Sequence, residues 1–226
     1  MPPFDQSRYQ VRVEWGVEGL ARLEPADVVV VVDVLRFSTT VTDAVARGVA
    51  FPLDVPAHAV STNGARVAAA AADSLVLLGC LRNASAVAAA VLAVQERRAA
   101  RTSVAVIACG EPGAPRRARG SGEAEARGAE PLRFAVEDQL GAGAIVDALA
   151  ALGIDHSSPE AAAACESFRG LRGAVRHLLT ASGSGQELLE LGRRAEVLNA
   201  SAIDATDAVP VLRDGVFFPY SPSTIA

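Results

Sequence analysis

Lysine is absent from all 226 residues, and apart from three histidines every basic side chain is one of 21 arginines. That absence excludes Schiff-base chemistry and the lysine-dependent phosphate loop. Aromatic residues make up only 4% of the chain, so its core has to be built from alanine, valine and leucine. Cys80, Cys109 and Cys165 are far apart, with no CxxC and no Cys/His cluster, so neither a zinc site nor a disulfide framework is expected. No apolar run approaches the roughly 20 residues of a membrane span. Residues 1–21 carry Asp5, Arg8, Arg12, Glu14 and Glu18 without an apolar core, which does not read as a signal peptide. The expectation is a cytoplasmic protein with no membrane partner. A formal charge of −5 also argues against a nucleic-acid partner. Arg116, Arg117 and Arg119 do cluster, but Glu123, Glu125 and Glu130 follow, as in a solvated loop. His58, His156 and His177 are scattered and are given no catalytic part.

What is present is organised around residues 26–48, ADVVVVVDVLRFSTTVTDAVARG. Five consecutive valines predict a strand buried on both faces. It stops at Asp33, and a polar turn with Arg36, Ser38 and Thr39 leads into a helix over 39–47 that Gly48 ends. The same strand–turn–helix order recurs along the chain. Strands are predicted at 9–15, 28–34, 74–78 and 103–109. Helices are predicted at 65–72, 84–98, 134–152, 159–168, 171–179 and 186–191. Pro52 and Pro56 keep 51–61 out of helix. Ser61-Thr62-Asn63-Gly64 has turn chemistry, and 111–131 reads as a mobile surface loop. Runs 209–212 and 216–218 flank Arg213-Asp214-Gly215 as a closing hairpin. The expected fold is a single compact α/β/α domain with a largely parallel or mixed sheet.

Several strand ends carry polar groups: Asp33, Arg36, Ser38 and Thr39 at one, Arg82 and Asn83 at another, and Glu111 at a third. Glu137 and Asp138 open a later helix. If these converge, the carboxylates suit a hard cation such as Mg²⁺ and the arginine forks suit phosphate or sulfonate oxygens. That combination describes a site for a small phosphorylated anion. Each group also has a plainer reading. Asp33 caps its turn, Glu137 and Asp138 favour a helix N-terminus, Arg82 is a surface residue, Asn63-Gly64 is a turn pair, and residues 182–185 are a loop and helix cap.

VVVVVDVLRFSTTVTDAVARG, STNGARVA, LLGCLRNASAVA, VAVIACGE and FAVEDQLGAGAIVDAL resemble, in this order, the blocks of the 2-phosphosulfolactate phosphatase family. SGSGQELLELG and DAVPVLRDGVF extend the resemblance toward the end of the chain. The connection at 51–61 is shorter than the family pattern. The resemblance implies a Mg²⁺-dependent phosphatase that releases phosphate from 2-phosphosulfolactate to leave sulfolactate. It implies Asp33 and Arg36 as catalytic residues, and Asp33, Glu137 and Asp138 as metal ligands. Ser38, Thr39, Asn63, Gly64 and Asn83 are implied at the substrate. The aspartyl-phosphatase signature DxDx[TV] is missing, because residue 35 is leucine. The alternatives are a non-catalytic anion-binding relative and a phosphatase for another small phosphorylated hydroxy acid. An Ala-rich surface adds the expectation of a homodimer.

Overall fold

In the computed structural model, which describes residues 4–54, 62–112 and 132–221, strands and helices alternate along most of the chain. Strand β1 (Val11–Trp15) leads into helix α1 (Gly16–Arg22), and β2 (Val28–Val32) into α2 (Phe37–Ala46). A two-residue β3 (Phe51–Pro52) precedes α3 (Thr62–Ala70). Then come β4 (Leu75–Gly79), a 3₁₀ turn (Leu81–Asn83), α4 (Ala84–Arg98) and β5 (Val104–Ala108). A short ribbon pairs β6 (Glu111–Pro112) with β7 (Leu132–Arg133). Helices α5 (Val136–Ala151), α6 (Pro159–Leu171), α7 (Val175–Ala181), α8 (Gly183–Glu190) and α9 (Arg194–Ala200) follow, and β8 (Pro210–Arg213) with β9 (Val216–Pro219) closes the fold.

The main sheet has the order β1-β5-β2-β4-β8-β9-β3. Its first four strands are parallel, and the β8–β9 hairpin and β3 add antiparallel strands at one side. All five valines of β2 are buried, because β2 has a parallel neighbour on each side and helices on both faces. Val28, Val30 and Val32 pack into one layer with α4, α5 and α6; Val29 and Val31 pack into the other with α2, α3 and Phe217. Full burial of each such side chain contributes about 1.5–3 kcal/mol, so the valine run is a large part of what fixes the sheet. The result is the expected α/β/α sandwich with a mixed, largely parallel sheet.

Helix α2 leaves β2 on one face and α5 follows β5 on the other, although β2 and β5 are neighbours. The crevice beyond their carboxyl ends is therefore a topological switch point, where open α/β sheets bind ligands. Gly141 seats α5 against this end, since a Cβ there would stand 2.7 Å from Val34 and 2.9 Å from Val32.

Some local expectations change. Asn63 and Gly64 lie in the first turn of α3 and not in a turn before it. Helix α8 starts at Gly183, three residues earlier than expected, and α1 and α9 were not anticipated. The helix expected at 171–179 is divided between a 3₁₀ turn and α7. Residues 55–61 of the short connection, and 113–131 with the Arg116, Arg117 and Arg119 cluster, lie outside the described residues. Among the described residues no helix is long and apolar enough to cross a membrane.

Candidate active site

Asp33 follows β2 directly and is 3% exposed. Its Oδ1 accepts the Phe37 N–H at 3.0 Å, and its Oδ2 accepts the Gly64 N–H at 3.0 Å. One carboxylate thus ties together the first turns of α2 and α3, where unpaired N–H groups and helix dipoles favour negative charge. Gly64 can come this close because it has no side chain. A Cβ there would lie 2.4 Å from the Phe37 ring. The capping reading of Asp33 therefore holds, and it spans two helices.

Ser38 and Thr39 spend their hydroxyls on the same turn. Ser38 Oγ donates to the Val31 carbonyl at 3.0 Å and accepts the Asp33 N–H at 3.0 Å; Thr39 Oγ1 donates to the Val34 carbonyl at 2.8 Å. Asp138 is the second brace. Its Oδ1 accepts the Val34 N–H at 2.7 Å and its Oδ2 accepts the Gly110 N–H at 2.8 Å, which joins the loops after β2 and β5 to α5. Asn63 Nδ2 adds a bond to the Gly110 carbonyl at 2.8 Å.

In front of these braces is a cleft of about 320 Å³. Arg36, Asn63, Glu111, Ser184, Glu187 and Arg193 are among its lining residues. The Ser184 hydroxyl lies 2.7 Å from Glu111 Oε1 and also contacts Glu137 Oε1. It has one hydrogen to donate and two carboxylates to meet. Burial raises the Glu111 pKa; the Ser184 bond lowers it, and the charges of Asp33, Glu137 and Glu187 raise it further. Burial likewise pushes Asp138 well up, aided by Asp33 and Glu137. Burial, with the charges of Asp33 and Asp138, raises the Cys109 thiol well above its ordinary value.

A carboxyl with a raised folded pKa binds its proton more tightly in the folded than in the unfolded chain. Stability therefore falls as pH rises from the ordinary carboxylate range through the raised value. In the ion-free protein, Glu111→Gln should flatten part of that decline and melt higher than the wild type above the window. Superimposable melting profiles against pH would show that Glu111 is not in the buried acid group.

Asn83 and Arg82 do not join this cleft. Asn83 is fully buried; its Oδ1 accepts the Cys80 N–H at 2.9 Å, and its Nδ2 donates to the Leu78 and Ala208 carbonyls at 3.2 and 3.0 Å. It organises the turn after β4. Arg82 pairs with Asp43 at 3.0 Å and donates to the Asn199 carbonyl at 3.0 Å. Of the residues read from the sequence, Arg36 and Asn63 line the cleft, Glu137 reaches it through Ser184, and Asp33, Asp138 and Gly64 frame it from behind. Glu111 was noted only as a strand end. Arg193 and Glu196 were missed, and Ser184 lies in the 182–185 stretch that was read as a loop and helix cap, which Ser182 does form.

The sequence profile described as 2-phosphosulpholactate phosphatase matches residues 57–215. The chain belongs to the 2-phosphosulpholactate phosphatase family. The match takes in Asn63, Glu111, Glu137, Asp138 and Ser184 of this phosphatase family member. Asp33 and Arg36 precede it, and the Asp33–Gly64 bond ties that earlier strand end to the matched region. No curated protein matches the chain.

Proposed function

We propose that the chain is a Mg²⁺-dependent phosphatase that hydrolyses 2-phosphosulfolactate to sulfolactate and phosphate. The observation that carries this reading is a cleft at the switch point of the sheet that Arg36, Glu111 and Ser184 line together, with Glu137 in contact with the Ser184 hydroxyl. Arginine matches the geometry of phosphoryl oxygens, and the acids supply a place for the counter-charge.

The donor set fits Mg²⁺, with Glu137 kept from the ligands the resemblance implied and Glu111 in place of Asp33 and Asp138. Among the described residues no group of three His, Cys, Asp or Glu side chains could hold a metal ion. Mg²⁺ needs only one or two carboxylates, with water and substrate phosphate completing its shell. Glu111 and Glu137, which share one hydroxyl, would hold it. Asp33 and Asp138 suit that task less well, because both oxygens of each already accept backbone N–H groups. When bound, the cation supplies Lewis-acid stabilisation of the phosphoryl oxygens. Arg36 binds and orients the phosphoryl group, Asn63 fixes the loop beneath it, and Asp33 holds the cleft walls at their separation. Hydrolysis breaks the ester bond to the phosphoryl group, and water supplies one oxygen to phosphate and one hydrogen to the sulfolactate hydroxyl.

The test is phosphate release from 2-phosphosulfolactate with Mg²⁺ and with chelator. Release that chelator abolishes is the expected result; no release by folded protein would remove the phosphatase reading. Mg²⁺ at about 100 times its Kd should also stabilise the protein by roughly 2.7 kcal/mol, or about 5–11 °C for a chain of this size. Glu137→Gln should lose that shift. A variant that keeps it would take Glu137 out of the metal set.

A further inference from the structure

Glu196, on α9, carries two guanidinium groups. Its Oε1 and Oε2 accept from Arg193 Nε at 2.6 Å and Nη2 at 2.9 Å, and Oε2 also meets Arg36 Nη1 at 3.5 Å. Among the described residues neither arginine has a second acidic partner. Among the described residues the other ion pairs are one to one, apart from Arg169, which is shared by Asp147 and Glu166. Two cations on one carboxylate leave this trio with a net positive charge, and both arginines line the cleft that Glu111 and Glu187 also line. The 3.5 Å contact is at the outer limit of hydrogen bonding, so Arg36 keeps nearly all of its donors for a ligand. Arg193 keeps Nη1. A phosphoryl group on Arg36 engages one of these cations. The other matches a second anionic group on the same small molecule.

We infer that Arg193 recognises the second anionic group of the substrate, a sulfonate or carboxylate, and that Glu196 is a positioning residue for Arg193. This rests on the phosphatase reading and adds to it. The ligand has two acidic groups, and the fork that takes the second comes from the segment between α8 and α9. A bidentate bond holds Arg193 in place, so less conformational freedom is lost when the ligand arrives.

The test compares three esters that differ in their acidic groups: 2-phosphosulfolactate, phospholactate without the sulfonate, and isopropyl phosphate with neither acid. In the wild type, kcat/KM should fall at each removal. In Arg193→Gln it should be about 10- to 100-fold lower for the ester carrying the recognised group and nearly unchanged for isopropyl phosphate. The step at which discrimination disappears tells sulfonate from carboxylate. Arg193→Lys, which keeps the charge, should recover part of it. Glu196→Gln should raise KM with little change in kcat and an unchanged melting temperature. An equal loss on all three esters in Arg193→Gln would overturn the assignment. If the wild type releases no phosphate, the phosphatase reading fails, and calorimetric binding of the same compounds decides the inference alone. Lost discrimination in Arg193→Gln would still support it, whereas unchanged discrimination, or no binding of any compound, would overturn it.

Discussion

Asp33→Asn should cost both turnover and stability. The substitution keeps the size of the side chain but leaves one acceptor oxygen where there were two. The new amide NH₂ would face either the Phe37 or the Gly64 N–H, donor against donor, in a site that is 3% exposed. A hydrogen bond to a charged group is worth about 1.5–3 kcal/mol, and a buried donor left without a partner costs about 1–3 kcal/mol. A net loss of roughly 2–4 kcal/mol is expected, or about 4–16 °C in melting temperature. Activity should fall by at least about 100-fold, because an ångström-scale shift of α3 against α2 moves the cleft wall that carries Asn63. Thermal melting and phosphate release measure the two effects. A variant with wild-type melting and turnover would show that Asp33 neither braces nor serves the site.

How far the sequence could lead is clear from particular residues. Val28–Val32 announced a strand buried on both faces, since only a doubly covered strand tolerates that run. Helix Ala84–Arg98 ends where the sequence placed it. Both are local signals. Asn63-Gly64 was misread because the pair is a common turn dipeptide, whereas Gly64 is glycine here to clear the Phe37 ring. Ser38, Thr39 and Asn83 were placed at the substrate by the family resemblance, but the structure commits their polar atoms to backbone. The reverse failure is Ser184. Its partners Glu111 and Glu137 are 73 and 47 residues away, and Glu196 is 160 residues from Arg36. No spacing rule links such positions; only packing of α8 and α9 over the switch point does. The family was legible from motif order, and the profile match bears it out, but the cleft's own chemistry was only half legible.

Gly185→Ala is the second change with a large expected effect, and it tests that packing directly. Gly185 is in the first turn of α8, and a Cβ there would stand 1.8 Å from the Leu179 carbonyl oxygen of α7. That neighbour is backbone, so no side chain can swing aside. Ser182 stands in the same corner, where its Oγ accepts the Gly185 N–H at 3.1 Å and donates to the Leu179 carbonyl at 3.0 Å. The methyl group must therefore part α8 from α7 and pull the cap apart. Overpacking costs about 1–3 kcal/mol and loss of a cap about 0.5–2 kcal/mol. The expected destabilisation is roughly 2–5 kcal/mol, or about 4–20 °C. Because Ser184 is the adjacent residue, the same displacement should weaken its contacts with Glu111 and Glu137 and lower phosphatase activity even where the protein stays folded. Gly170→Ala, in α6, is the comparison. Nothing lies within 4 Å of a Cβ at that position, and alanine favours helix over glycine by about 1 kcal/mol, so it should be neutral or stabilising. Equal melting temperatures for the two variants would mean that α7 and α8 are not in close contact, and Ser184 would then have no fixed place between the two glutamates.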